Sequence, residues 1–119
     1  MATLDTFFEG RTKARRLFDA VERAVSAAGP SSTRVTKSQI AFRRKRAFAW
    51  AWTPDRWLHG DTAPLVLSIA LPRRVRSKRW KEVVEPTPRR WMHHLELRAL
   101  RSIDAEVRAW LREAWDDAA

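Results

Sequence analysis

The chain contains no cysteine. That excludes a disulfide framework, a thiolate nucleophile and every cysteine-based zinc site. Long apolar runs are missing as well: the longest apolar stretch, LVLSIAL at 65–71, is far short of the roughly 20 residues that span a bilayer. The opening MATLDTFFEG lacks the basic start and apolar core of a secretory leader. A cytoplasmic protein without a membrane partner is therefore expected. Also missing are internal repeats, low-complexity tracts, helix-turn-helix and zinc-finger spacings, and the aromatic signature of an RNA-recognition sheet.

What remains is a folded, basic chain of one domain's length. In 119 residues, 45% are hydrophobic, with seven Trp and five Phe, enough for a core within a single domain. The formal net charge is +10, and it is unevenly placed. Residues 33–101 carry 17 Lys and Arg against 5 Asp and Glu, whereas the flanking segments carry 7 against 9. A high arginine share (19 Arg to 5 Lys) beside 18 Ala fits a GC-rich genome, which accounts for the residue type but not for the clustering. Clustered positive charge speaks about partners, not about fold.

Helical spacing frames the basic middle. Residues 3–8 suit one short turn ended by Gly10. In TKARRLFDAVERAVSAAG, Ala14, Leu17, Phe18, Val21, Ala24, Val25 and Ala28 form an i, i+3, i+4, i+7 stripe stopped by Gly29-Pro30. A second stripe, Ile103, Val107, Trp110, Leu111 and Ala114, follows Ser102 as a candidate N-cap. Between these helices, alternation with period two predicts strands. Phe48, Trp50 and Trp52 alternate with alanines, Leu65, Leu67, Ile69 and Leu71 with Val66, Ser68 and Ala70, and Ile40 and Phe42 with Ala41 and Arg43. The fold class expected is α+β: two layers, an antiparallel sheet of about four or five strands, and helices at 12–28 and 102–116 on its bulky face. The small face, including Ala49, is left open or covered by residues 72–90. Residues 77–88 suit one helical turn and then an extended stretch, and 57–61 a loop.

The adjacent histidines of WMHHLEL invite a chemical reading. On a strand they point to opposite faces, so they cannot chelate one ion together. His93 falls on the core face as a hydrogen-bonded structural residue. His94 shares the other face with Glu96, a pair able to act as metal ligands or as a base with an orienting carboxylate. A zinc site needs a third ligand, and His59 lies in a loop. A nucleophilic arrangement needs a serine, for which Ser68 is the candidate. No metal or cofactor is assigned, and enzymatic activity is not expected.

Two sites follow as candidates. Arginine-rich turns, Arg43, Arg44, Lys45 and Arg46, then Arg73, Arg74, Arg76, Lys78, Arg79 and Lys81, then Arg89 and Arg90, would gather at one end of an antiparallel sheet. Such a patch suits nucleic acid or another polyanion, because guanidinium groups bind phosphate bidentately and release counterions. Trp57 and Trp80 would supply stacking surfaces there, while Trp50, Trp52, Trp91 and Trp110 are expected in the core. The alternative is a small-molecule pocket, with or without catalysis, on the small face: Arg43, Ala49, Ser68, His94, Glu96 and Arg98, closed by Trp57 or Trp80. A protein-interaction module is the third reading.

The stretches FFEG, VTKSQIAFRRKRAFAWAW, LVLSIAL, RWKEVVEPTPRRWMHHLEL and IDAEVRAWLREAW, in that order, resemble a family of small bacterial single-domain proteins catalogued only as a domain of unknown function. A broader related group has been labelled "predicted transport protein". The resemblance covers nearly the whole chain and implies an α+β domain with helices at both ends of a sheet. It carries over no catalytic residue. Relatives in the broader group attached to nuclease or restriction-type proteins add weight to the nucleic-acid reading.

Overall fold

A computed structural model describes residues 2–56 and 60–119, without the side chain of Arg56. The chain is α+β. A short helix α1 (Leu4–Phe7) and a long helix α2 (Thr12–Ala28) precede strands β1 (Ser32–Val35), β2 (Ile40–Arg43), β3 (Ala47–Trp52), β4 (Leu65–Leu71), β5 (Glu82–Thr87) and β6 (Arg90–Leu97), and helix α3 (Ala105–Asp117) closes the chain. The six strands form one antiparallel sheet in the order β1-β2-β3-β4-β6-β5. Two strands are more than the sequence pattern disclosed. β1 is a largely exposed edge, polar except for Val35, and β5 is an edge that accommodates Pro86, as edges do because one side of their backbone needs no partner. Neither buries an alternating apolar face, so neither announces itself.

Both long helices pack on one face of the sheet, over β3 and β4. The α2 stripe is buried as its spacing predicts. Phe18 of that stripe stacks on Phe42 of β2 with centroids 5.9 Å apart, and Phe8 meets Phe18 at 5.2 Å. Leu65, Leu67, Ile69 and Leu71 lie in the same core with Ile40, Leu95 and Leu97.

The α3 stripe is buried too, but its start differs from the expected Ser102. Ser102 ends a 3-10 turn (Leu100–Ser102), and Asp104 is the N-cap, its carboxylate accepting from Val107 N–H at 3.1 Å. Asp104 sits three residues before Val107, the first buried residue within α3, whereas Ser102 is too far upstream to reach the orphan donors of the first turn. The Arg79 guanidinium and this N–H donor hold the Asp104 carboxyl below its ordinary range. Asp104→Ala is expected to cost about 1–2 kcal/mol, read as a lower chemical-denaturation midpoint with an unchanged m-value. An unchanged midpoint would remove Asp104 from the capping role.

The alternation of β3 runs opposite to expectation. Ala49 and Ala51 face the helices, fully buried, while Trp50 and Trp52 are half-buried on the other face. Register decides this: Ala49 pairs with Phe42 and Ile69, Ala51 with Ile40 and Leu67, all of them core residues. The aromatic volume under the helices is already supplied by Phe8, Phe18 and Phe42, which leaves room only for methyl groups on β3. Phe48 nevertheless reaches the core, because a bulge opposite Phe42/Arg43 inserts one extra residue and re-aims the side chain.

Candidate nucleic-acid interface and open-face cleft

The antiparallel register brings three connections to one end of the sheet. Arg43 pairs with Ala47, Leu71 with Trp91, and Thr87 with Arg90. Residues 43–46, 72–74 and 88–90 therefore stand together, and Arg46, Pro72, Thr87, Arg89 and Arg90 line a cavity of about 540 Å³ there. The remaining members of the predicted patch lie elsewhere. Arg79 is at the opposite end of α3, ion-paired to Asp104 (3.0 Å) and Glu106 (2.9 Å) and donating to the Ser102 carbonyl at 2.8 Å. Lys81 pairs with Glu96 at 3.3 Å, and Arg76 lines a separate cavity with Val83, which Arg74 borders from the basic end, where it lies over Trp91.

Several arginines of the basic end are occupied by the fold. The C-terminus of α3 leaves carbonyls without helical donors and carries the negative end of the dipole. The 44–46 turn docks onto it: Arg44 donates to the Trp115 carbonyl at 3.1 Å and lies 3.5 Å from the Trp115 ring centre, Lys45 N–H donates to the Ala118 carbonyl, and Arg46 reaches the Asp117 carbonyl and carboxylate at 2.8 Å. Arg73 forms a bidentate pair with Glu113 at 2.8 and 2.9 Å, which raises its already high pKa. Among the described residues, the side chains of Arg43, Lys45, Arg76, Lys78 and Arg89 have no such partner. Arg90 donates to the Ala47 carbonyl at 3.0 Å and lies over the Trp50 ring at 5.7 Å.

The 72–81 connector does not cover the small face. It crosses on the helix side, where Val75 N–H donates to His93 Nε2 at 3.0 Å and Trp80 packs against His93 (4.8 Å) and Trp110 (4.2 Å). Trp80, expected as a stacking surface or lid, is therefore a core residue, its Nε1–H donating to the Val75 carbonyl at 3.0 Å. His93 is the structural histidine expected. Its Nε2 accepts, so Nδ1 carries the proton and donates to the carbonyls of Trp91 (3.0 Å) and Ile69 (3.3 Å). Burial pushes its pKa down, opposed by those two carbonyls.

On the opposite face, Ser68 and His94 are brought together as neighbours on β4 and β6. Trp52 Nε1–H, which can only donate, donates to Ser68 Oγ at 3.0 Å, and Ser68 Oγ lies 2.7 Å from His94 Nδ1. His94 Nδ1 is the one acceptor within reach of the Ser68 hydroxyl among the described residues, so a satisfied hydroxyl sends its proton there, which leaves neutral His94 with its proton on Nε2. Burial lowers the His94 pKa, opposed by Glu82. A serine donating to an imidazole is the first requirement of a nucleophilic pair. Here, however, Ser68 is 3% exposed beneath the indoles, and its oxygen is held by Trp52. The contact fixes the imidazole tautomer rather than offering a nucleophile.

The cleft above this trio encloses about 350 Å³, with Trp50, Trp52, Ser68, Met92, His94 and Gln39 in its walls. Of the pocket residues anticipated from the sequence, Ser68 and His94 are present. Ala49 and Trp80 are on the other face, and Glu96 and Arg98 form an ion-pair chain with Lys81 and Asp61. Arg43 stands at the basic end, while Trp57 and His59 lie outside the described residues. Trp50, Trp52, Met92 and Gln39 were missed. Pairing Trp50 with Ser68 would have found the indoles, but that register is set between β3 and β4 across a connection that carries no turn signal fixing it. Among the described residues no group of three His, Asp or Glu side chains could hold a metal ion, and no helix is long and apolar enough to cross a membrane.

No curated protein and no solved structure proved similar to the chain. Residues 4–118 match the family described as "Domain of unknown function (DUF5655)", a match that takes in all three helices and all six strands. The chain belongs to that family.

Proposed function

We propose that the protein binds nucleic acid or another polyanion at the basic end of its sheet. The observation that carries this reading is the convergence of the 43–46, 72–74 and 88–90 connections around one cavity bearing Arg46, Arg89 and Arg90, with Arg43 beside it. The arginines docked on α3 shape this end. Arg43 and Arg89, whose side chains have no internal partner among the described residues, are the ones free to meet phosphate. Phosphate binding by such groups gains from counterion release, so affinity falls steeply with salt.

Fluorescence anisotropy of labelled single-stranded DNA, duplex DNA and RNA tests the reading. Three phosphate contacts would weaken duplex binding roughly 40-fold between about 50 and 200 mM salt. The doubly substituted Arg43→Ala/Arg89→Ala protein is expected to lose most of the binding and flatten the salt dependence without a change in melting temperature. Arg44 and Arg46 are unsuitable for this purpose, since their removal uncaps α3. Absence of binding at the lower salt for all three ligands would refute the proposal.

A further inference from the structure

The open-face cleft has chemistry of its own. Trp50 and Trp52 are two positions apart on β3, so both project from the same face, roughly 7 Å apart along the strand. Donation from Nε1 to Ser68 stands the Trp52 indole on its N–H edge and turns its rings toward the cleft. The Trp52 and His94 planes meet at 87° with centroids 6.3 Å apart. An imidazole N–H lies in the plane of its own ring. A flat ring resting on Trp52 would consequently stand roughly perpendicular to the imidazole plane.

The donor on that imidazole is specified. Because Ser68 gives its proton to Nδ1, His94, a wall of the cleft, carries its free proton on Nε2, and no described residue accepts from it. Every buried side-chain polar atom among the described residues is satisfied, so this unpartnered N–H is in contact with the cleft or solvent rather than sealed. Gln39 at the rim has a carboxamide without a described partner, which adds one donor and one acceptor. The volume of about 350 Å³ lies at the small end of ligand pockets and suits one heterocyclic ring system. Arg90, lying over Trp50 and spanning to the Ala47 carbonyl, connects the cleft to the basic end. The site therefore combines aromatic faces, an in-plane donor, an amide and a neighbouring cation.

We infer that the cleft is a nucleobase pocket: the base lies against the indoles, an acceptor on its edge meets His94 Nε2–H, and its phosphate extends past Arg90 toward Arg89. The phosphate part of this inference rests on the polyanion reading; the base part stands without it. A paired base in a duplex is stacked on both sides and cannot enter, so the ligand is an unpaired base, either in a single strand or in a free nucleotide.

Two titrations decide it. Single-stranded ten-mers, intact or with abasic sites throughout, are compared by anisotropy. The four nucleoside monophosphates and the corresponding uncharged nucleosides are followed by intrinsic tryptophan fluorescence. Intact strands are expected to bind about 5- to 150-fold more tightly than abasic ones, the effect of stacking one base. Trp52→Ala should abolish that difference and His94→Ala should narrow it, whereas Arg43→Ala weakens intact and abasic strands alike. If Trp52→Ala does not fold, the His94→Ala comparison, with His94→Gln restoring a donor, settles the matter.

Equal binding of intact and abasic strands would overturn the pocket and leave the polyanion reading standing. Salt-independent binding of nucleosides, with no preference for charged strands, would support the pocket and remove the polyanion reading. No response in either titration overturns both. Saturation by mononucleotides at concentrations similar to strands identifies a free nucleotide as the source, and binding of strands alone identifies nucleic acid.

Discussion

Replacing His93 by alanine is expected to cost about 3–5 kcal/mol. The residue has no exposure to solvent. Truncation leaves a cavity between Trp80 and β6, and it strips Val75 N–H of its acceptor and the Trp91 carbonyl of its donor. His93→Leu separates the two losses, since it refills the volume but leaves the backbone groups unpaired; its cost should be about 1–3 kcal/mol. Urea denaturation of the three proteins measures both. Equal stability of wild type and His93→Leu would show that the 72–81 connector is held by packing alone.

The same residue sets a pH dependence. Folding lowers its pKa from the ordinary 6.5, so below that value the unfolded chain binds more protons than the folded one. Stability is accordingly complete above about pH 6.5 and declines as the pH falls from there toward the folded-state pKa, by up to about 1.4 kcal/mol per pH unit for such a group. The main cause is burial, which penalises the charged ring, and a proton on Nε2 would also face the Val75 N–H. His94, also lowered by burial, contributes with the same sign. His93→Leu should therefore reduce the slope between pH 6.5 and 5 without eliminating it, and a slope identical to wild type would assign the whole effect to His94.

Gly29→Ala is the second large effect expected, about 2–5 kcal/mol. Gly29 follows α2 with φ +156° and ψ 176°, a region essentially restricted to glycine. A Cβ there would also fall on the six-membered ring of Trp115. The indole cannot retreat without loss, because its Nε1–H donates to the Pro30 carbonyl at 2.9 Å and Arg44 stacks on its face. The α2 C-terminus, the end of α3 and the basic turn meet at this point, so their loosening would be felt in all three. Differential scanning calorimetry should show a fall of roughly 10–20 °C in Tm. Combining the change with Trp115→Leu should recover the steric part and leave the backbone part. A wild-type Tm for Gly29→Ala would mean that the indole repacks freely.

Much of this molecule was written locally. The stripes of α2 and α3, the α+β class, the opposite orientation of His93 and His94, and the hairpin at 44–46 all follow from periods of 3.6 and 2, which a sequence displays directly. The face on which Trp50 and Trp52 lie does not. Alternation tells which residues share a side but not which side meets the helices, and the assignment by bulk failed because Phe8, Phe18 and Phe42 had already filled the space above Ala49 and Ala51. Charge was equally incomplete as a guide. The sequence alone determined that arginines crowd the connections. Only the tertiary structure decided that Arg44, Arg46, Arg73 and Arg79 hold α3 while the side chains of Arg43 and Arg89 meet no partner among the described residues, since such a contact depends on a partner some 25 to 71 residues away. The cleft has the same origin: Trp52, Ser68 and His94 come from three strands, and their hydrogen bonds exist only once the register of β3, β4 and β6 is set.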